Sequence, residues 1–394
     1  MNVLVVPMFA LSRMGGPWSR AQAIASAFEQ AGHRVMLGVA DDGNCLEPCV
    51  ADLLKLPTPS PLGLPMAVAS KTFPLAEKLG VSGRKPVRSF EEVLWLTGAL
   101  AYQYEKESVR ALCDAIATHR IDAVYSEYSL PAIIAARALD VPVFGSFSFT
   151  TQTSYASDPK KAAGVRKLLD ELELPAVESS LELFEWLDCR FVPSCRELEP
   201  IAEEDADSLR PCEFVGFLQE PPGLRQRVRD FIVVYLGAGS VPQRRIERVV
   251  SKAFRDFDCI AYAAGSKEER GVGNVLFAPR FDFSRVLPRA RCFVHHGGQN
   301  STMDALAYGA PQVIVPGRVF ERIYNAKSIE RVGAGLMLES FTPEALAEAC
   351  RRVAGDLSFA ESATTVRNQL AKAGGAQRIV SVVEEAVYRK RYGT

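Results

Sequence analysis

Val294-His295-His296-Gly297-Gly298-Gln299-Asn300-Ser301-Thr302-Met303-Asp304-Ala305-Leu306, followed by Gly309-Ala310-Pro311 and the apolar run 312–315, reads as strand, glycine turn, helix, turn and strand. Residues 291–294 supply the apolar strand, and Gly297-Gly298 let the backbone come close to a ligand. Asn300 or Ser301 is placed to cap the following helix, and Gly309 stands where glycine ends one. Free N–H groups and the positive end of the helix dipole then point at one spot. A diphosphate fits such a site.

Outward from this stretch the same rhythm repeats. The N-terminus enters a buried strand at Val3-Leu4-Val5-Val6, residues 18–30 carry apolar positions at helical spacing, and 34–39 is a second strand. That βαβ opening predicts a parallel sheet with right-handed crossovers. The proline-rich run 56–65 is loop, 90–118 is largely helix, 123–125 and 141–144 are strands around a helix at 130–139, and 151–185 is polar and helix-prone. Near residue 205 the rhythm restarts after a connection containing Glu220-Pro221-Pro222-Gly223. Residues 231–236 then form a very apolar strand ending in Gly237-Ala238-Gly239-Ser240, followed by strands at 259–263, 275–277, 292–295 and 312–315 with helices between and after them. The expected fold is α/β, with two doubly wound Rossmann-like domains facing a cleft. The expected boundaries are 1–205, a linker over 206–228, a second domain over 229–375, and a last helix in 376–394 that packs back on the first domain.

Bulk properties narrow the class further. A chain of 394 residues is too long for one ordinary core, and 48% hydrophobic with 24% charged residues is typical of a globular chain. The formal charge of −1, without a concentrated basic tract, argues against a nucleic-acid or acidic-membrane partner. Nine scattered cysteines without a CxxC pair read as free thiols of a reducing cytoplasm rather than disulfides or a zinc site. No signal-peptide pattern opens the chain, and no apolar run is long enough for a transmembrane helix. A cytoplasmic location is expected.

The stretch from His296 to Leu306, with Gly309-Ala310-Pro311, Pro316, Asn325-Ala326 and Gly333-Ala334-Gly335, resembles the GT-B nucleotide-sugar glycosyltransferases. Within them it is most similar to the bacterial macrolide and antibiotic branch of the UDP-glycosyltransferase superfamily. The resemblance implies a donor site in the second domain. His296 would touch a phosphate; Gly298, Gln299, Asn300, Ser301 and Thr302 would line the diphosphate; and Asp304, where the family usually has Glu, would meet the ribose hydroxyls. Arg280 would lie near the nucleobase, Gly239 and Ser240 near phosphate, and Glu321 and Arg322 near the sugar. Arg322 is compatible with an acidic sugar, with pairing to Glu321, or with solvent. The expected reaction is inverting transfer from a UDP- or dTDP-sugar to a small, largely apolar acceptor such as a natural product. No metal and no cofactor beyond the co-substrate are expected, and an auxiliary protein or a homodimer is compatible. His295 reads as structural, His33 as a strand opener and His119 as a solvated helix end.

The first domain departs from the family pattern. Gly16-Pro17-Trp18-Ser19 aligns with the glycine loop whose usual Gly-His carries the catalytic base, so Pro17 stands where that histidine belongs. Glu127, the counterpart of the family's supporting Asp, is the first substitute as general base, and the alternative is that it caps the next helix. Ser19, Asp41 and Asp42 are further candidates. An acceptor already anionic, or a thiol or amine, needs no strong base. Two other classes stay open: a nucleotide-sugar-binding auxiliary without turnover, and a GT-B sugar epimerase.

Overall fold

In the computed structural model, the described residues are 1–9, 15–40, 50, 52–61, 68, 87–154, 158–199, 211–223, 228–237 and 241–393. They form two compact units. One comprises Met1–Phe73, Arg88–Gln219 and Ala373–Thr394; the other comprises Glu220–Lys372 together with Val87.

The first unit runs β1 (Asn2–Pro7), α1 (Gly15–Gln30), β2 (Arg34–Ala40), β3 (Asp52–Leu56), α2 (Phe90–Thr97), α3 (Tyr102–His119), β4 (Ala123–Glu127), α4 (Leu130–Ala138), β5 (Val143–Ser146), α5 (Ala163–Glu171), β6 (Cys189–Val192) and β7 (Cys212–Phe214). Its seven strands lie in the order β3-β2-β1-β4-β5-β6-β7, all parallel. Val3 to Val6 are almost fully covered. A parallel strand with helices on both faces needs such a continuous apolar run.

The second unit runs β8 (Phe231–Tyr235), α6 (Gln243–Ala253), β9 (Ile260–Ala264), β10 (Arg270–Val272), β11 (Val275–Ala278), α7 (Phe283–Val286), β12 (Ala290–His295), α8 (Gln299–Ala307), β13 (Gln312–Ile314), α9 (Phe320–Arg331), β14 (Gly335–Met337), α10 (Pro343–Gly355) and α11 (Leu357–Lys372). Its strand order is β10-β11-β9-β8-β12-β13-β14, parallel apart from the β10–β11 pair. The chain then returns to the first unit as α12 (Gly375–Tyr392). There Ala376, Ile379, Val380, Val383 and Val387 share an apolar cluster with Trp18, Ala21, Ile24 and Phe28 of α1. Spacings of three and four residues put the five on one helical stripe.

The structure differs from the expectation in two places of consequence. Cys212–Phe214, expected to be linker, is the edge strand of the first sheet, paired with β6. Residues Gly16, Pro17 and Trp18 form no glycine loop: they lie in the first turn of α1, with Trp18 8% exposed in the core. Pro17 is comfortable there because the first N–H groups of a helix have no intrahelical acceptor. Among the described residues no helix is long and apolar enough to cross a membrane.

Candidate functional site

In the second sheet β8 has β9 on one side and β12 on the other, so the chain's winding reverses between β8 and β12. Open α/β sheets bind ligands beyond the carboxyl ends of the strands at such a point. The two strands end level, with Tyr235 paired to His295.

Past His295 the backbone turns through Gly297, at a φ of 85°, into Gly298, the N-cap of α8. The turn is held from three directions. His295 is 0% exposed; its Nε2 donates to Gln312 Oε1 at 2.8 Å and its Nδ1 accepts from the Gly297 N–H at 3.0 Å. Because Nδ1 receives an N–H, the ring proton sits on Nε2. Asn325 Nδ2, on α9, donates to the Gly297 carbonyl at 2.8 Å. His295 is thus a structural residue, as the sequence reading had it, and it shapes the glycine turn.

His296 stands at the mouth of this turn. A Cβ on Gly298 would lie 2.7 Å from His296 Nε2, and one on Gly237 would lie 3.2 Å from the ring. Two glycines therefore make room for one imidazole, with the Tyr235 ring edge-on at 5.9 Å between centroids. His296 Nδ1 is covered and makes no well-formed hydrogen bond among the described residues, the Tyr235 backbone being only a weak partner of the ring. A polar atom left in that state is costly unless a ligand meets it.

Helix α8 starts at Gln299, with Gly298 as N-cap and no side-chain cap. The expectation that Asn300 or Ser301 would cap the helix is therefore corrected: both already lie inside its first turn. Thr302 is buried and its hydroxyl donates back to the Gly298 carbonyl at 3.1 Å, while Ser301 is 6% exposed. No side chain caps the first turn of α8, and Gln299 and Asn300 are half-buried in it. Gly309, at a φ of 59°, follows the C-cap Tyr308.

The remaining donor-site expectations fall in several places. Arg322 and Glu321 lie in the first turn of α9, and the guanidinium is close enough for its charge to be felt at His296. Asp304 is exposed one turn further along α8, and Arg280 is exposed just beyond β11. Gly239 and Ser240 lie outside the described residues, as do Asp41 and Asp42 and most of the apolar run 62–73.

In the first unit Glu127 is 0% exposed and neither caps α4 nor stands open. Arg20 Nε donates to its Oε1 at 2.5 Å, and the Ser146 hydroxyl donates to its Oε2. Both oxygens of Glu127 are thus engaged, and the carboxylate has no solvent face. Ser19 is exposed, its hydroxyl donating to the Gly16 carbonyl at 3.1 Å. Sequence reasoning missed Arg20. The available signal was a charged residue between the buried Trp18 and Ala21 of α1.

Both histidines of the turn are held neutral. Burial takes His295 down to about 4; burial, then the nearby Arg322 charge, takes His296 down to about 3. The unfolded chain titrates near 6.5, so as pH falls below that value it gains protons that the folded unit refuses. Stability present above about pH 6.5 is therefore lost progressively as pH falls toward the folded values. In denaturant titrations at pH 7.5 and pH 5, the unmodified protein is expected to lose about 2 kcal/mol more than His296→Asn. Equal losses in the two proteins would remove His296 from this account.

The comparisons with known proteins bear on the same region. Residues 260–386 match the family described as erythromycin biosynthesis protein CIII-like, C-terminal domain. The aclacinomycin-T 2-deoxy-L-fucose transferase of Streptomyces galilaeus is 34% identical over 131 residues, 32% of this chain and 29% of that protein. The NDP-glycosyltransferase YjiC of Bacillus subtilis (strain 168) is 26% identical over 290 residues, 66% of this chain and 71% of its own length. Among solved structures, the calicheamicin glycosyltransferase CalG4 superposes with a TM-score of 0.73 at 19% identity, covering 100% of this chain and 99% of that one, which speaks for the fold. With the strand order, the glycine turn and the matched residues in place, residues 260–386 are similar to the erythromycin CIII-like C-terminal family, and the chain has the fold of the solved GT-B glycosyltransferases.

Proposed function

We propose that this protein is an inverting glycosyltransferase that moves a sugar from a UDP- or dTDP-sugar to a small, largely apolar acceptor. The observation that carries the reading is the β12–α8 turn. Two glycines with no room for a side chain, uncapped helix N–H groups and the covered Nδ1 of His296 converge at the switch point of one sheet. Such donors suit a diphosphate, and they suit it best as it departs. When the bond from the anomeric carbon to the phosphate breaks, charge grows on the diphosphate, and donors fixed beforehand stabilise it without reorganising. The helix dipole, His296 and Arg322 would do this without a resident metal ion. Attack from the opposite face of an oxocarbenium-like carbon then inverts the sugar.

The test is turnover. The protein is incubated with UDP- and dTDP-sugars and a panel of hydroxylated and acidic aromatic acceptors, and products are followed by mass spectrometry. Deoxysugar donors come first, because one relative is named for transferring 2-deoxy-L-fucose. Glycosylated acceptor is the expected product. The engaged Glu127 gives one specific reason for a second reading, a nucleotide-sugar-binding protein without turnover. Tight nucleotide binding with neither transfer nor donor hydrolysis across the panel would favour it.

A further inference from the structure

The second unit commits two fully buried polar side chains, on the adjacent strands β12 and β13, to one turn. His295 and Gln312 are each 0% exposed. Such groups are costly to bury unless their polar atoms are met. Here they are. Gln312 Oε1 accepts from His295 Nε2 at 2.8 Å, and Gln312 Nε2 faces the Thr302 carbonyl of α8 at 3.5 Å. His295 Nδ1 accepts from the Gly297 N–H at 3.0 Å. Amide, ring and peptide form one directed chain of donors and acceptors.

The ring has little freedom within this chain. Its plane is set by Phe293, which stacks on it with 4.8 Å between centroids and 23° between planes. Phe293 is also the partner of Gln312 in the β12–β13 register, so the amide starts beside the ring it holds. Gly335 of β14 leaves room on the other side. A Cβ there would strike the Gln312 carbonyl oxygen and lie 3.0 Å from the Gln312 Cβ.

A neutral imidazole carries one proton, and the partners of its two nitrogens decide which of them holds it. The Thr302 carbonyl can only accept, so it draws the amide nitrogen of Gln312 and leaves the amide oxygen to the ring. That oxygen keeps the proton on Nε2 and leaves Nδ1 with a lone pair. With the proton on Nδ1, two N–H groups would face each other at Gly297. The consequence reaches the ligand side of the turn. A trans peptide carries its N–H and carbonyl on opposite sides. The Gly297 N–H held by His295 and the Gly297 carbonyl held by Asn325 therefore fix two successive peptide planes. The second plane turns the N–H of Gly298, the N-cap of α8, away from Asn325.

We infer that Gln312 is a positioning residue for the nucleotide diphosphate: through the tautomer of His295 it sets the peptide planes of the glycine turn. Being 0% exposed, it does not touch the ligand itself. The effect on the nucleotide rests on the glycosyltransferase reading; the effect on the turn does not.

Ring-nitrogen NMR of the full chain reads the tautomer directly, with His295→Asn assigning the signals. At pH 7 His295 is expected to hold its proton on Nε2, and a proton on Nδ1 would overturn the proposal. Amide exchange at Gly297 reads the turn. Gln312→Met is similar in shape but has no amide. It should speed that exchange at least about tenfold and weaken UDP and dTDP binding by a similar factor, the worth of one buried hydrogen bond. A folded Gln312→Met protein with unchanged affinity or unchanged exchange would overturn the proposal. Two substitutions of His295 decide the matter even where Gln312→Met fails to fold. Asparagine places an amide oxygen where Nδ1 stands, whereas the glutamine amide reaches the Nε2 position. His295→Asn should therefore bind nucleotide at least about tenfold more tightly than His295→Gln. In the His295→Asn background, Gln312→Met should cost less than about twofold, because no ring tautomer is left to set. Equal affinity of the two His295 variants, or the same loss from Gln312→Met in both backgrounds, would mean that Gln312 packs without positioning. An unmodified protein with the Nε2 tautomer and a protected Gly297 amide that binds neither nucleotide would leave the turn assignment standing and count against the glycosyltransferase reading alone.

Discussion

Gly297→Val is expected to abolish nucleotide binding and to destabilise the second unit by about 3–5 kcal/mol, summing left-handed strain and overpacking. Gly297 holds a φ of 85°, which costs any residue with a Cβ and a β-branched one most. Its Cβ would also sit 2.8 Å from Ile314 Cγ2 and 3.0 Å from the Arg322 carbonyl oxygen. The isoleucine methyl can swing aside. The carbonyl belongs to α9 and cannot, so the turn itself must move. Its two anchors, the N–H held by His295 and the carbonyl held by Asn325, would then be lost together. Gly317 is the control. It has a φ of 65° but no atom within 4 Å of its Cβ position, so Gly317→Ala should cost only about 1 kcal/mol. Equilibrium unfolding and calorimetric titration with UDP and dTDP measure both effects. Nucleotide affinity in Gly297→Val near that of the unmodified protein would end the argument that bare backbone makes the site.

That turn was also the most legible part of the chain, for a physical reason. Glycines at a strand-to-helix junction are a local signal, because the conformation they permit is set by their own φ. The two doubly wound sheets were legible on similar grounds: apolar runs such as 231–235 bury both faces of a strand and leave few alternatives. Cys212–Phe214 was not. A three-residue edge strand carries too short a pattern to separate it from a linker, and only its pairing with β6 defines it. The start of α1 was misplaced because Gly15 and Gly16 favour a loop locally, whereas tertiary packing of Trp18 draws the helix back over them. Arg20 and Glu127 lie 107 positions apart, and nothing local announces that they meet. Glu127 and Pro17 stand out by similarity to a family. The ion pair that changes the meaning of both is a long-range fact.

His296→Ala is expected to weaken nucleotide binding by roughly ten- to a hundredfold, and the form in which the ring acts can be stated in advance. With its imidazole held down to about 3, His296 is neutral in the free protein. Charging it at pH 7 costs roughly 5 kcal/mol, since each pH unit between them is worth about 1.4 kcal/mol. A bound diphosphate would favour the charged ring, but Arg322 and the N-terminus of α8 already offer positive potential to that anion, so less is gained by adding another charge. The ring is therefore expected to meet the phosphate as a neutral hydrogen-bond donor. Asparagine supplies a neutral N–H at similar reach, so His296→Asn should retain affinity within about threefold, while alanine loses it. Calorimetry in two buffers of different ionisation enthalpy reads the proton count directly. Binding at pH 7 should take up close to no proton, and uptake near one proton per nucleotide would mean that the diphosphate overcomes the burial and that His296 works as a cation.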